Sequence, residues 1–345
     1  MINQSRHQPP GLWSRRQFLS WGAAGVGLVS ASAILGTRFS RQSLAADTLP
    51  LLKDNISSTD SLFDPTELLR EFDYGTIKQE ANGPVREFVV TASSSLLKLN
   101  DDISLVCWNF NGRVPGPTLR AREGDRVRII FHNQEVNPHS MHFHGTHSFE
   151  MDGVEPIHYG QTTVYEFEAE PFGVHPYHCH IEPVTQHISK GLYGLFIIDP
   201  PEDRPPADEM VLVMGGFDIN EDGHNELYAF NGIPNYYRDR PISIHQNELV
   251  RIYLLNMIEF DPAVTFHIHA NMFHVFPTGR TLIASEDSDV ITLGTAERHI
   301  LEFSYPYAGQ YMFHPHQDAI AERGCMGVFN VLSAKGFGNS ATSLT

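Results

Sequence analysis

The sequence predicts an all-β protein made of two duplicated β-sandwich domains. Three observations carry this expectation. Gly (27) and Pro (22) are frequent among the 345 residues. The apolar runs are short and often β-branched, which favours many short strands over long helices. The two halves also repeat each other. Asn111-Gly112 matches Asn231-Gly232, and Gly124-Asp125-Arg126-Val127-Arg128 matches Asn247-Glu248-Leu249-Val250-Arg251. Gly191-Leu192-Tyr193-Gly194 matches Gly324-Cys325-Met326-Gly327. The order is kept while the offset drifts from 120 to 136 residues, as loop insertions in a duplicated domain produce.

The elements follow in order. Residues 1–46 read as a twin-arginine signal peptide. Ser14-Arg15-Arg16-Gln17-Phe18-Leu19 precedes a weakly apolar Gly/Ala-rich stretch, and Ser43-Leu44-Ala45 offers a small-x-small cleavage site. Such a signal implies a bacterial or archaeal protein, folded before export to the periplasm or the cell exterior. The alternative is a basic N-terminus with a chance Arg pair. Residues 47–86 read as an acidic N-terminal extension. Within it Asp64-Pro65-Thr66-Glu67 predicts a short helix running to about Phe72, with Asp64 as N-cap. Residues 87–200 form the first domain, with strands such as Arg126-Val127-Arg128-Ile129-Ile130-Phe131 and Thr163-Val164-Tyr165-Glu166-Phe167. A Pro-rich linker spans 201–210, the second domain 211–333, and a Ser/Gly-rich flexible tail 334–345. No internal segment is long and apolar enough for a membrane-spanning helix.

Residues 1–45 contain five Arg and no acidic residue, so the remainder carries 19 basic and 41 acidic residues, a net charge of −22. Such a surface repels nucleic acid and anionic membranes. It serves solubility, or favours cationic and neutral partners. Only Cys107, Cys179 and Cys325 occur, so no disulfide framework is expected. Cys107 and Cys325 are either a bridge or two buried apolar side chains.

Four His-x-His units carry the chemistry: His142-Phe143-His144, His178-Cys179-His180, His267-Ile268-His269 and His314-Pro315-His316. The first two units correspond to the last two across the repeat. On a strand, alternation puts both histidines of a unit on one face and the residue between them on the other. Cys179 therefore faces away from His178 and His180, and His139 away from His142 and His144. His187 can rejoin the Cys179 side after a Pro-containing loop. His139, Cys179 and His187 then form a His₂Cys set, the ligation of a blue electron-transfer copper. Leu192 follows where a weak axial Met often sits; Met141 and Met151 are the nearby alternatives. Loss of an axial donor raises the reduction potential. The second half lacks the His₂Cys set, since Val264 matches His139 and Pro315 matches Cys179. It keeps both His pairs. The pairs together give eight imidazoles on two matching faces, suited to copper. The other nine histidines, including His132, His147, His158, His175, His224 and His299, receive no ligand role.

Residues 100–332 resemble the multicopper oxidases. Asn111-Gly112-Arg113-Val114-Pro115-Gly116-Pro117 with Glu123-Gly124-Asp125 looks like that family's first-domain signature. His139-x-x-His142-x-His144 and His178-Cys179-His180 are similar to its copper motifs. With a blue copper in the first repeat only, the chain is similar to two-domain, small-laccase members. The resemblance implies two cupredoxin-like Greek-key β-sandwich domains. It implies one type 1 copper at His139, Cys179 and His187, and one type 2 copper at His142 and His267. It also implies two type 3 coppers at His144, His178, His180, His269, His314 and His316. A homotrimer with its trinuclear sites between subunits is implied as well. The gap of eight residues from Cys179 to His187 departs from three-domain laccases and is nearer to copper nitrite reductases.

The function that follows is laccase-like. Electrons from a small donor (a phenol, an aromatic amine or a metal ion) pass through Cys179 to His178 and His180, and O₂ is reduced to water. Cys179 and Asp152 are the catalytic candidates, Asp152 as proton supply from the Met151-Asp152-Gly153-Val154 loop. Glu182 and Asp318 are weaker proton candidates. The alternatives are a copper nitrite reductase and a periplasmic copper-binding or electron-transfer protein. The former typically has Asp where this chain has His142 and no ligand where it has His180.

Overall fold

Period-two patterning makes the strands. Along Arg126–Asn133 half-buried and buried residues alternate one by one, and Val127, Ile129 and Phe131 are fully buried. Along Val250–Met257 every residue is buried, as in a strand covered on both faces.

The computed structural model describes residues 63–333. The export signal, the start of the extension and the C-terminal tail read from the sequence lie outside them. The protein is all-β, with four sheets and a few short helices among the described residues. In the first half one sheet joins β1 (Thr76–Glu80), β2 (Gly83–Lys98), β3 (Ser104–Phe110), β5 (Arg126–Asn133) and β7 (Thr162–Glu168). The other joins β4 (Leu119–Arg122), β6 (His142–Phe143), β8 (Gly173–His178) and β9 (Tyr193–Asp199). In the second half one sheet holds β10 (Asp208–Phe217), β11 (Leu227–Phe230), β13 (Val250–Met257), β15 (Phe273–Pro277), β16 (Glu286–Ser288) and β18 (Arg298–Phe303). Its partner holds β12 (Ile242–His245), β14 (Val264–Ile268), β17 (Val290–Leu293), β19 (Gly309–His314) and β20 (Gly327–Leu332).

The repeat is visible in the pairing. Parallel β2/β5 and β4/β9 in the first half correspond to parallel β10/β13 and β12/β20 in the second. The short helices α2 (Val184–Ser189) and α4 (Asp318–Glu322) each follow a histidine-bearing strand. The other α-helices among the described residues are α1 (Pro65–Arg70) and α3 (Tyr236–Asp239).

Three apolar clusters hold the fold. One fills the first half and includes Phe88, Phe131, Phe143 and Cys179. One fills the second and includes Phe230, Phe266, Phe313 and Cys325. The third lies between the halves and joins Leu195, Ile197 and Tyr193 to Val211, Leu255 and Ile300. Fully burying such a side chain contributes about 1.5–3 kcal/mol. A polar seam runs beside it. Arg120 makes a bidentate pair with Asp199 at 2.9 and 2.9 Å and reaches Glu209 at 2.7 Å. Arg251 bonds Glu302 at 2.6 Å and Glu209 at 3.0 Å.

Three local readings differ from the structure. The 47–86 segment is not a plain extension: β1 and the first residues of β2 lie inside it as a hairpin of the first sheet. The α1 helix is capped by Asp64 as expected but stops at Arg70. Glu71 is extended, and the Phe72 ring packs instead on Tyr253. The 201–210 linker is shorter, because β10 already begins at Asp208. That acidic start looks like loop but is neutralised by Arg70 at 2.8 Å and by Arg120 on Glu209. Cys107 and Cys325 are free thiols buried in different clusters, so no bridge joins them.

Candidate metal centres

The register of the central strands brings the histidines together. His142 on β6 stands opposite His178 on β8, and His267 on β14 opposite His314 on β19. Cross-strand neighbours on one face lie close enough to share a ligand. The next residues extend the set on both sides. The His142 ring centroid is 5.2 Å from His144, 5.2 Å from His178 and 5.0 Å from His180. The His267 ring is 5.2 Å from His269, 5.6 Å from His314 and 5.4 Å from His316. The Nε2 atoms of His144 and His178 lie 3.2 Å apart, and those of His269 and His314 lie 3.0 Å apart. All eight predicted histidines therefore converge, four in each half. Among the described residues no ring contact joins one group of four to the other.

The outer nitrogens are held by the backbone. His142 Nδ1 donates to Asp152 O at 2.8 Å and His267 Nδ1 to Asp289 O at 2.7 Å. His178 Nδ1 donates to Cys179 O at 2.9 Å and His314 Nδ1 to Pro315 O at 2.7 Å. Each bond fixes a tautomer whose Nε2 lone pair is free, the usual device behind metal-binding imidazoles. Burial, then the neighbouring His178 and His142, pushes His144 down to about 3. Burial likewise lowers His178 to about 4. These rings are neutral near pH 7, as metal ligation requires.

Beside these strands His139 from the segment before β6, Cys179 from just past β8 and His187 from α2 meet, all buried. Cys179 Sγ is 3.1 Å from His187 Nδ1 and 3.7 Å from His139 Nδ1. The two Nδ1 atoms are 3.1 Å apart. Burial pushes the Cys179 thiol up and His187 down to about 4. The Ser140 N–H points at Cys179 Sγ from 3.4 Å. Three soft or borderline donors, converging in a dry site with one ring nitrogen each turned inward, fit copper. Leu192 is fully buried beside them and its carbonyl accepts from Cys179 N–H at 3.0 Å. Met151 Sδ accepts from Glu166 N–H at 3.2 Å, and Met141 is buried in the same cluster as Cys179.

The Asp152 carboxylate lies 3.2 Å from His142 Nδ1. Its approach depends on Gly153, whose φ is +73° and where a Cβ would sit 2.0 Å from Met141 O. Glu182 and Asp318 are exposed. Of the histidines given no role, His147 bonds Phe143 O at 2.8 Å, His175 bonds Pro171 O at 2.7 Å and His132 bonds Thr162 at 2.7 Å.

Sequence reasoning missed three residues. Glu135 accepts from His139 Nε2 at 3.1 Å. Trp108 packs on His139 and His187, with ring centroids 5.2 and 4.8 Å away. Asp289 takes the place beside His267 that Asp152 takes beside His142. Only Glu135 had a usable signal, an acid four residues before a ligand histidine.

Comparison with known proteins agrees with this chemistry. Two family models described as "Multicopper oxidase" match residues 94–203 and 203–335. A crystallised multicopper oxidase is 46% identical with a TM-score of 0.78, covering 80% of this chain and 100% of that one. A copper nitrite reductase of Nitrosomonas europaea is 27% identical with a TM-score of 0.67, covering 72% of this chain and 94% of that one. A copper-containing nitrite reductase of Neisseria gonorrhoeae is 28% identical over 264 residues, 69% of this chain. The chain spans 66% of that relative's length.

Proposed function

The chain belongs to the multicopper oxidase family, and from that premise we propose that it is a laccase-like oxidase. It couples one-electron oxidation of a small phenolic, aromatic amine or metal-ion donor to the four-electron reduction of O₂ to water. The observation that carries this is the completeness of the histidine set. His142 and His180 both stand in the first group of four, within 5.0 Å of each other. A nitrite-reducing copper needs only three histidines, so a second complete group would serve it no purpose.

In this reading His139, Cys179 and His187 hold a type 1 copper. His142 and His267 hold a type 2 copper. His144, His178, His180, His269, His314 and His316 hold a type 3 pair. Bound copper supplies one-electron exchange at the His₂Cys site and dioxygen reduction at the histidine site. The protein supplies the rest. Burial of Cys179 and His139 keeps water from the thiolate. Cys179 shares its backbone with His178 and His180, the shortest covalent path between the two sites. Asp152, with a carboxylate oxygen 3.2 Å from His142 Nδ1, is placed to relay protons to the histidine site.

In this reading a homotrimer would bring the second group of four of one subunit to the first group of its neighbour. The twin-arginine motif supports a periplasmic or extracellular location. No helix among the described residues is long and apolar enough to cross a membrane.

The test is a copper count, a visible spectrum and an oxygen electrode on the purified, copper-loaded protein. Four coppers per chain, an intense blue band and O₂ uptake with a phenolic donor are expected. Two coppers per chain with nitrite turnover and no O₂ uptake would make it a nitrite reductase instead.

A further inference from the structure

One buried charge is unused by this mechanism. Glu135 is 5% exposed, and its Oε2 takes three donors. These are the Asn137 backbone N–H at 2.7 Å, Asn137 Nδ2 at 2.9 Å and His139 Nε2 at 3.1 Å. The loop that carries it is pinned. Asn133 Oδ1 accepts from Glu135 N–H at 2.8 Å, and Asn133 Nδ2 donates to Asn137 O at 2.7 Å and Ile157 O at 2.8 Å. The His139 backbone pairs with Ile157 in both directions at 3.0 Å. Neither partner of the Glu135–His139 contact can swing away without breaking several hydrogen bonds. The other imidazole of the set differs, since no protein hydrogen bond reaches His187 Nε2 among the described residues.

We propose that Glu135 is the positioning residue of the His₂Cys site, fixing the tautomer of His139 and lowering the reduction potential of the copper held there. This rests on the type 1 reading of His139, Cys179 and His187. An imidazole that donates Nε2–H to a carboxylate must present its Nδ1 lone pair inward, and the carboxylate makes that lone pair more basic. The oxidised metal carries one more positive charge than the reduced one. A buried anion one imidazole away therefore stabilises the oxidised state more. Leu192 acts in the opposite sense, because it offers no axial donor. The protein would thus combine a feature that raises the potential with one that lowers it.

The experiment is a spectroelectrochemical titration of the blue band in the copper-loaded wild type and two variants. Glu135→Gln keeps an acceptor of the same size for His139 but removes the charge, so the potential rises while the blue band persists. Asn137→Ala removes one donor that competes with His139 for Oε2, so the carboxylate acts more fully on His139 and the potential falls. A residue that merely pins the loop would not move the two variants in opposite directions. If Glu135→Gln does not fold, the fall in Asn137→Ala still carries the test. Unchanged potentials with intact blue bands, or a fall in Glu135→Gln, overturn the proposal. A wild type that binds copper without a blue band overturns the type 1 reading and this proposal with it. Either result is independent of whether O₂ or nitrite is the acceptor.

Discussion

The two halves of the molecule hold the same four-imidazole group at the ends of the same pair of strands, yet they treat the opposite side of that pair differently. The hydrogen bonds make the match residue by residue. Leu192 N–H donates to His187 O at 3.2 Å, and Cys325 N–H donates to Ile320 O at 3.4 Å. Ser140 Oγ accepts from His180 N–H at 3.3 Å, and Thr265 Oγ1 accepts from His316 N–H at 2.7 Å. Ile320 thus stands where His187 stands, Cys325 where Leu192 stands, Val264 where His139 stands and Pro315 where Cys179 stands. The first half builds a metal pocket there. The second half fills the space with Val264, Ile320 and Cys325, all part of its apolar cluster. A duplicated scaffold can keep one face of a strand and repurpose the other because alternation makes the two faces independent.

The comparison can be broken most sharply at Cys179. Cys179→Ser is expected to abolish the blue band and the turnover of bulky donors, while the two histidine groups still bind copper. An absorption spectrum with a copper count checks this. Conversely, Pro315→Cys alone gains no blue band, because Val264 and Ile320 offer no imidazole beside it. A blue band in that variant would sink the account of the second half.

The histidine groups should behave alike where the opposite faces do not. His142→Ala and His267→Ala are each expected to lower O₂ uptake at least about 100-fold, more than loss of an outer-shell partner costs. Oxygen-electrode rates and copper content for the pair show whether the two halves contribute equally. A smaller asymmetry is expected between the carboxylates. The Asp289 oxygen lies 3.8 Å from His267 Nδ1, against 3.2 Å for Asp152 and His142. On the proposed proton-transfer role, Asp152→Asn should slow O₂ reduction by about 100-fold and Asp289→Asn by less. Equal effects in single-turnover reoxidation would remove the distinction.

Stability separates the halves in a gentler way. Ile320→Ala opens a cavity in the second half and is expected to cost about 2–4 kcal/mol without changing copper content. Urea unfolding at neutral pH measures it. Between the halves, Glu209→Gln breaks a buried network and is expected to cost about 3 kcal/mol. Burial works against the Glu209 charge, but hydrogen bonds from Arg120 and Tyr253 outweigh it and hold the carboxyl at about 2 rather than its ordinary 4.5. Its contribution is fully present above pH 4.5 and is lost as pH falls through 2. The variant should therefore lose less stability than the wild type over that window, which denaturation midpoints across acid pH would reveal.

Much of this site was legible beforehand, and the reason is its periodicity. His-x-His on a strand states which side chains share a face, and the internal repeat states which units pair. His187 was reachable because it lies a short loop beyond Cys179. Trp108 and Asp289 were not legible. They come from strands and loops far away in sequence, and nothing in their local pattern separates them from other aromatic and acidic residues. The Asp208 strand start was hidden for a related reason. An acidic pair reads as loop until its arginine partners are placed.

The sequence by itself determined the duplication, the strand character, the eight imidazoles and the single thiolate on the opposite face. All of these follow from local alternation and from the order of the motifs. Only the tertiary structure decided which residues surround the metal sites: Glu135 on His139, Trp108 against both ligand rings, and Ile320 closing the pocket in the second half. Those contacts depend on the register between strands and on packing between sheets, which are set by the whole core rather than by any one segment.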